Sequence, residues 1–159
     1  MKERVLGVIP ARGGSKTIPK KNTIDLLGIP LIAYTIREAL KAKTLTRLIV
    51  SSEDSEILSV ARTYGAETPF VRPGELATDD SLIIDVVIHA TTTVEEREGR
   101  KYDYVVVLQP TTPLRRAEDI DSAVSKLITS GADSVIGVVN VGAMHPYRMK
   151  RIANGLLVD

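Results

Sequence analysis

Three apolar runs constrain this chain more than any other feature: Val5-Leu6-Gly7-Val8-Ile9, Leu48-Ile49-Val50 and Tyr104-Val105-Val106-Val107-Leu108. A strand with one wet face alternates polar and apolar residues, whereas a continuous apolar run needs cover on both faces. Helices on the two sides of a parallel sheet supply that cover, and the segments between the runs carry helical periodicity. The expected class is α/β: a Rossmann-like, mostly parallel sheet with helices on both faces. Tyr104–Leu108, the most continuous β-branched run, is the expected central strand.

The remaining elements follow from local rules. Pro30 suits the first turn of a helix with Leu31, Ile32, Ile36 and Leu40 on one face. Arg47–Ser51 reads as the second strand, and Asp54–Tyr64 as a helix with Ile57, Leu58, Ala61 and Tyr64 inward and Gly65 as its stop. A short strand is expected at Thr68–Val71. Asp79, Asp80 and Ser81 offer capping oxygens for a long helix from Leu82 to about Glu95. That helix is apolar nearly all round, so deep burial is expected. Ala117–Ser130 reads as an amphipathic helix closed by Gly131, and Ser134–Val139 as a further strand. Asn154-Gly155, between Met149–Ile152 and Leu156–Val158, is a hairpin signal.

Composition narrows the function classes. At 159 residues, with 43% hydrophobic and 26% charged residues, residues 1–159 read as a single domain with a real core. A net charge of +1 gives no global field to recruit nucleic acid or a membrane, and aromatics at 4% are too few for base-stacking platforms. With no cysteine there is neither a disulfide framework nor a thiolate metal site. No apolar stretch is long enough to span a bilayer, and the N-terminus enters a strand without a signal-peptide core, so a cytoplasmic location is expected.

Chemistry concentrates after the first run. Arg12, Lys16, Lys20 and Lys21 are interleaved with Gly13, Gly14 and Ser15, and no acidic residue intervenes before Asp25. Two adjacent glycines let backbone N–H groups approach a ligand, and ligands of open α/β sheets bind beyond the carboxyl ends of strands. A polyphosphate is the expected guest, set against the plain alternative of a solvated basic loop. The loop is neither a Walker G-x-x-x-x-G-K-[ST] nor a dinucleotide G-x-G-x-x-G pattern.

Ile9-Pro10-Ala11-Arg12-Gly13-Gly14-Ser15-Lys16, followed by Ile18-Pro19-Lys20-Lys21-Asn22, resembles the signature loop of the acylneuraminate cytidylyltransferases. Arg72–Asp79 and Leu108–Arg115 resemble two further blocks of that family, in the same order. The resemblance runs from Val5 to about Lys150, with Thr17 standing where the family usually has glycine. It implies a sheet of the nucleotide-diphospho-sugar transferase type. The implied reaction transfers CMP from CTP to the anomeric hydroxyl of an acidic nine-carbon sugar, with Mg²⁺ or Mn²⁺ as cofactor.

By the same resemblance Arg12 and Lys16 would hold the triphosphate, with arginine able to engage two oxygens and lysine acting as a point charge; Lys21, nearby in sequence, is the second choice of lysine, and Lys20 reads as solvated. Ala11, Gly13, Gly14, Ser15, Asn22, Arg72 and Thr78 would bind the nucleotide, Arg72 reading the cytosine edge. Asp79 reads first as a helix cap. Gln109, Thr111, Arg115 and Arg148 would meet the sugar acid, although Arg115 can instead brace its own loop, and His145 reads as a loop hydrogen-bonder.

The family continues beyond this length, with a dimerisation arm and a later aspartate pair that helps bind metal. Residues from about 140 to 159 would begin that arm, so a truncated chain is expected, homodimeric if the arm is complete. The metal ligands are unknown, because Asp119 and Asp121 fall on a predicted helix as a solvated face. Two rival readings are a cytidylyltransferase for an eight-carbon sugar acid and a CTP-binding module without chemistry.

Overall fold

β1 (Val5–Pro10) forms the middle of a three-stranded parallel sheet, between β4 (Arg47–Ser51) and β5 (Tyr104–Val107). This computed structural model describes residues 3–15 and 18–142, and the backbone of 151–153 and 156–158. The registers are parallel on both sides, Val8 facing Ile49 on one side and Val107 on the other. Between β1 and β4 lie a small antiparallel pair, β2 (Asp25–Leu26) with β3 (Ile29–Pro30), and helix α1 (Leu31–Lys41).

The alternation along β1 splits the core into two layers. Ile9 packs with Ile32 and Ile36 of α1, Ile57 and Ala61 of α2 (Ser55–Thr63), and Ala117 and Ile120 of α4 (Ala117–Ser130). Leu6 and Val8 face the other way, onto Ala90 and Val94 of α3 (Ile83–Glu98). Helices therefore cover both faces, as expected. Right-handed crossovers explain the split: α1 and α2 step outward from β1, and α3 returns the chain across the opposite face to β5. The order of the sheet reverses between β1 and β5. That reversal positions the site.

Several expectations are corrected. Tyr104–Leu108 does not supply the central strand; β5 lies at the edge, with its outer side unpaired among the described residues and Val107 42% exposed. A continuous apolar run reports cover above and below, not a neighbour on each side. Thr68–Val71 forms no strand. Glu67 bridges β4 through Glu67 N–H to Leu48 O and Val50 N–H to Glu67 O, and the next donor along that ladder would be Pro69, which has no N–H. Ser134–Val139 forms no strand either, and Ile136 and Val138 stand 79% and 87% exposed without a strand partner among the described residues.

The α3 helix is half buried rather than enclosed. Val86, Val87, Ala90 and Val94 are buried, whereas Ile84 and Ile88 are each 55% exposed. Its cap position is Leu82, with no side-chain cap, so Asp79, Asp80 and Ser81 do not play that role. The Ser81 hydroxyl donates instead to Glu75 O and bonds the Thr78 hydroxyl. Leu40 in α1 points outward, and Pro30 precedes the helix while pairing with Asp25.

Local signals elsewhere match. Asp54 caps α2, accepting from the N–H groups of Glu56 and Ile57, and Gly65 follows with φ of 92°. Strands β6 (Arg151–Ala153) and β7 (Leu156–Val158) pair antiparallel around the expected hairpin, whose turn lies outside the described residues. Of the two aspartates expected on a solvated face, Asp119 is exposed but Asp121 is part-buried. Asp119 caps α4 at Arg116 N–H, and Asp121 accepts from the N–H groups of Lys43 and Thr44 and from the Thr44 hydroxyl, pinning the turn into β4. Burial raises the Asp121 carboxyl, but these donors outweigh it and leave the group below the ordinary aspartate value.

Candidate nucleotide site at the reversal of the sheet

A cavity of about 310 Å³ opens beyond the carboxyl ends of β1 and β5, where the strand order reverses. All three sequence blocks reach it: Arg12, Gly14, Ser15, Lys21 and Asn22 from the first, Arg72, Thr78 and Asp79 from the second, Gln109 and Thr111 from the third. Residues as far apart as Pro10 and Pro110 converge because the first and third blocks follow β1 and β5, while the second is tied to the end of β4 by the Arg72 N–H, which donates to Ser52 O.

The first loop is anchored at its root. Ala11 is buried and donates its N–H to Ser51 O, extending the β1–β4 ladder by one bond. Asn22, also buried, donates its side-chain amide to Arg12 O at 2.9 Å, so it ties the two ends of the loop together. Gly13 and Gly14 have different reasons to be glycine. A Cβ on Gly13 would fall 2.3 Å from Asp54 Oδ2, whereas one on Gly14 would meet nothing within 4 Å. The Gly13 N–H donates to Glu53 Oε1 at 2.7 Å and Gly13 is not among the cavity walls, so the exposed loop backbone comes from Gly14 and Ser15.

Arg12 lies across the cavity mouth. Its guanidinium donates to Thr78 O at 2.8 Å and pairs with Asp79 at 2.9 Å, which joins the first block to the second. Both side chains are more than a third exposed, so solvent screens the pair and a polyanion can compete for the arginine. Lys21 lines the cavity, whereas Lys20 turns outward onto Glu56 at 2.6 Å. That hydrogen bond and the Glu56 charge raise the Lys20 ammonium above its ordinary value.

Arg72 is 4% exposed. Its Nη2 donates to Glu53 Oε2 at 2.6 Å and to Ala11 O at 3.2 Å, while its buried Nε has no acceptor. Thr78 is fixed by Ser81, whose hydroxyl accepts the Thr78 N–H at 3.1 Å. On the third block Gln109 presents its exposed side chain at the end of β5, and Thr111 follows it. Arg115 does not reach the cavity walls. It donates to Gln109 O and to the Thr112 hydroxyl, bracing the loop, and burial lowers its guanidinium from the ordinary value. Lys16 and Arg148 lie outside the described residues, as does His145.

Glu53 and Asp54 are the contributors that sequence reasoning did not single out. Both follow β4 at the same edge of the sheet, so the rule that located the other blocks also covers them. Asp79, expected as a helix cap, instead engages Arg12 through its carboxylate.

No group of three or more potential metal ligands occurs among the described residues. The one cavity carboxylate, Asp79, already pairs with Arg12, so these residues do not make up a set for a divalent cation. No helix among the described residues is long and apolar enough to cross a membrane.

A parallel sheet flanked by helices on both faces, with its cavity at the strand reversal, is the doubly wound α/β architecture. A solved CMP:2-keto-3-deoxy-manno-octonic acid synthetase, complexed with CTP, shares it with a TM-score of 0.69 at 23% identity, over 82% of this chain and 49% of that one. The chain belongs to the cytidylyltransferase family, whose model matches residues 6–153. It is 42% identical over 123 residues to a pseudaminic acid cytidylyltransferase from Campylobacter jejuni, covering 77% of this chain and 53% of the relative. It is 45% identical over 121 residues to a CMP-N,N'-diacetyllegionaminic acid synthase from Legionella pneumophila, covering 76% and 52%. The chain thus spans about half the length of the curated relatives it matches.

Proposed function

We propose that this chain is the nucleotide-binding part of an enzyme that transfers CMP from CTP to the anomeric hydroxyl of a nonulosonic acid. The observation that carries the reading is the convergence of Arg12, Lys21, Asn22, Arg72 and Gln109 on one cavity at the strand reversal. The sugar oxygen attacks the α-phosphorus, the bond from that phosphorus to the bridging oxygen breaks, and pyrophosphate leaves with the electron pair. The hydroxyl proton passes to solvent.

Arg12 and Lys21, joined by Lys16, neutralise the triphosphate and follow charge onto the leaving group. Arg12 makes this contact by exchanging Asp79 for phosphate oxygens, while the Gly14 and Ser15 backbone faces the same anion. Arg72, held rigid below the loop, meets the cytosine edge. Gln109 and Thr111 meet the sugar acid, with Arg148 as the partner of its carboxylate. A divalent cation, Mg²⁺ or Mn²⁺, would shield the triphosphate charge. A homodimer built through the segment that begins with β6 and β7, in the cytoplasm, completes the reading.

The names of the relatives put pseudaminic, legionaminic and N-acylneuraminic acids forward as substrates. Pyrophosphate release from CTP, measured with each acid in turn and with EDTA as control, tests the proposal. Release that needs both one acid and a divalent cation supports it. CTP binding without release under any condition reduces the chain to a binding module.

A further inference from the structure

Glu53 follows β4 at the rim that carries the cavity. Glu53 is not a wall of the cavity, yet its two oxygens engage two different blocks: Oε1 accepts the Gly13 N–H at 2.7 Å and Oε2 accepts Arg72 Nη2 at 2.6 Å. A carboxylate spent on helix capping would bond the first turn of α2, but that task belongs to its neighbour Asp54. Arg72 has no other acid partner among the described residues, and its side chain is 3% exposed. A guanidinium buried to that degree needs a counter-charge and a fixed plane.

We infer that Glu53 is a positioning residue for nucleotide selection: it orients Arg72 toward the base and, through Gly13, sets the phosphate loop against it. The inference rests on the reading of the cavity as a CTP site. Its physical basis is division of labour along one guanidinium. Nη2 is consumed by Glu53 and Ala11 O, which fixes the plane of the guanidinium in a residue that lines the cavity. Base discrimination depends on that plane being held within narrow limits, because a donor offset by an ångström distinguishes little. The Gly13 bond extends the same control to the loop, so the spacing between base and phosphate sites is set by one carboxylate.

Two substitutions separate the two arms. In Glu53→Gln the side-chain oxygen can still accept the Gly13 N–H, but the charge facing Arg72 is gone. Glu53→Ala removes both contacts. Binding of CTP and UTP is measured by calorimetry for the unsubstituted chain and both variants, with thermal melts alongside. The expected result is that Glu53→Gln weakens CTP by about tenfold with little change for UTP, so the preference for cytosine collapses. Glu53→Ala should weaken both nucleotides. A parallel loss of CTP and UTP in Glu53→Gln, or an unchanged CTP affinity, overturns the positioning role. If the unsubstituted chain itself shows no preference for CTP over UTP, the base-recognition reading fails first and the inference fails with it. Should Glu53→Ala fail to fold, Glu53→Gln alone decides the matter.

Discussion

The two rims of the sheet are both rich in arginine and carboxylate, yet they are built for different ends. At the amino-terminal rim, Glu98 at the end of α3 pairs with Arg4 and with Arg47, and accepts the Tyr102 hydroxyl at 2.9 Å. Arg47 also pairs with Glu67 at 2.7 Å, and the Arg4 guanidinium lies 4.2 Å from the centre of the Tyr102 ring. At the carboxyl-terminal rim, Arg12 meets a screened aspartate, Lys21 lines a cavity, and buried Arg72 keeps a nitrogen without an acceptor. One rim satisfies its charges internally and holds strand starts to α3. The other leaves charge for a ligand. An arginine-rich rim is therefore not a site in itself; a cavity and incompletely satisfied donors make the difference.

The comparison can be broken by substitution on either side. Arg12→Ala should produce the largest change, a loss of about 100-fold in CTP affinity with CMP weakened only a few-fold, because a two-oxygen phosphate contact is removed. Calorimetry with both nucleotides checks this, and equal losses would assign Arg12 to the nucleoside or to the fold. Glu98→Gln, at the opposite rim, should cost about 2 kcal/mol of stability in denaturant melts by leaving two arginines short of a partner, with CTP affinity within about twofold of the unsubstituted chain. A large loss of CTP binding there would erase the distinction between the rims.

Gly13→Ala should weaken CTP by roughly tenfold, since a methyl group would meet Asp54 and displace a tightly held turn. Asp121→Asn is expected to have the smallest effect, about 1 kcal/mol of stability near neutral pH and none on binding. Its pH dependence carries a sign. The folded carboxyl lies below its unfolded value, so its contribution is fully present above about pH 4 and disappears as the pH falls through the folded value. Melts of both chains should therefore converge in acid; a constant difference between them would rule out the hydrogen bonds to Lys43 and Thr44 as its source.

What the sequence disclosed, and what it concealed, follows the range of the forces involved. β1, β4 and α2 were legible because apolar continuity, an aspartate cap and a glycine stop act within a few residues. The basic loop was legible for the same reason, as was its place beyond a strand. Strand order is global, so Tyr104–Val107 could be recognised as covered but not as an edge. Ser134–Val139 has the composition of a strand, yet composition does not provide a pairing edge. Glu53 escaped notice because a glutamate before a capped helix is unremarkable until the fold brings Gly13 and Arg72 to its two oxygens. Asp79 was misread because capping residues and ion-pair partners look alike in a chain, and only the position of Leu82 at the start of α3 separates them.

The central claim is that the carboxyl-terminal rim is a CTP site. Calorimetric titration of the chain with CTP, with and without Mg²⁺ and with ATP as control, addresses it most directly. The account predicts saturable binding of CTP, weaker or absent binding of ATP, and loss of the CTP signal in Arg12→Ala. A folded chain that binds neither nucleotide, or binds both alike, would contradict it.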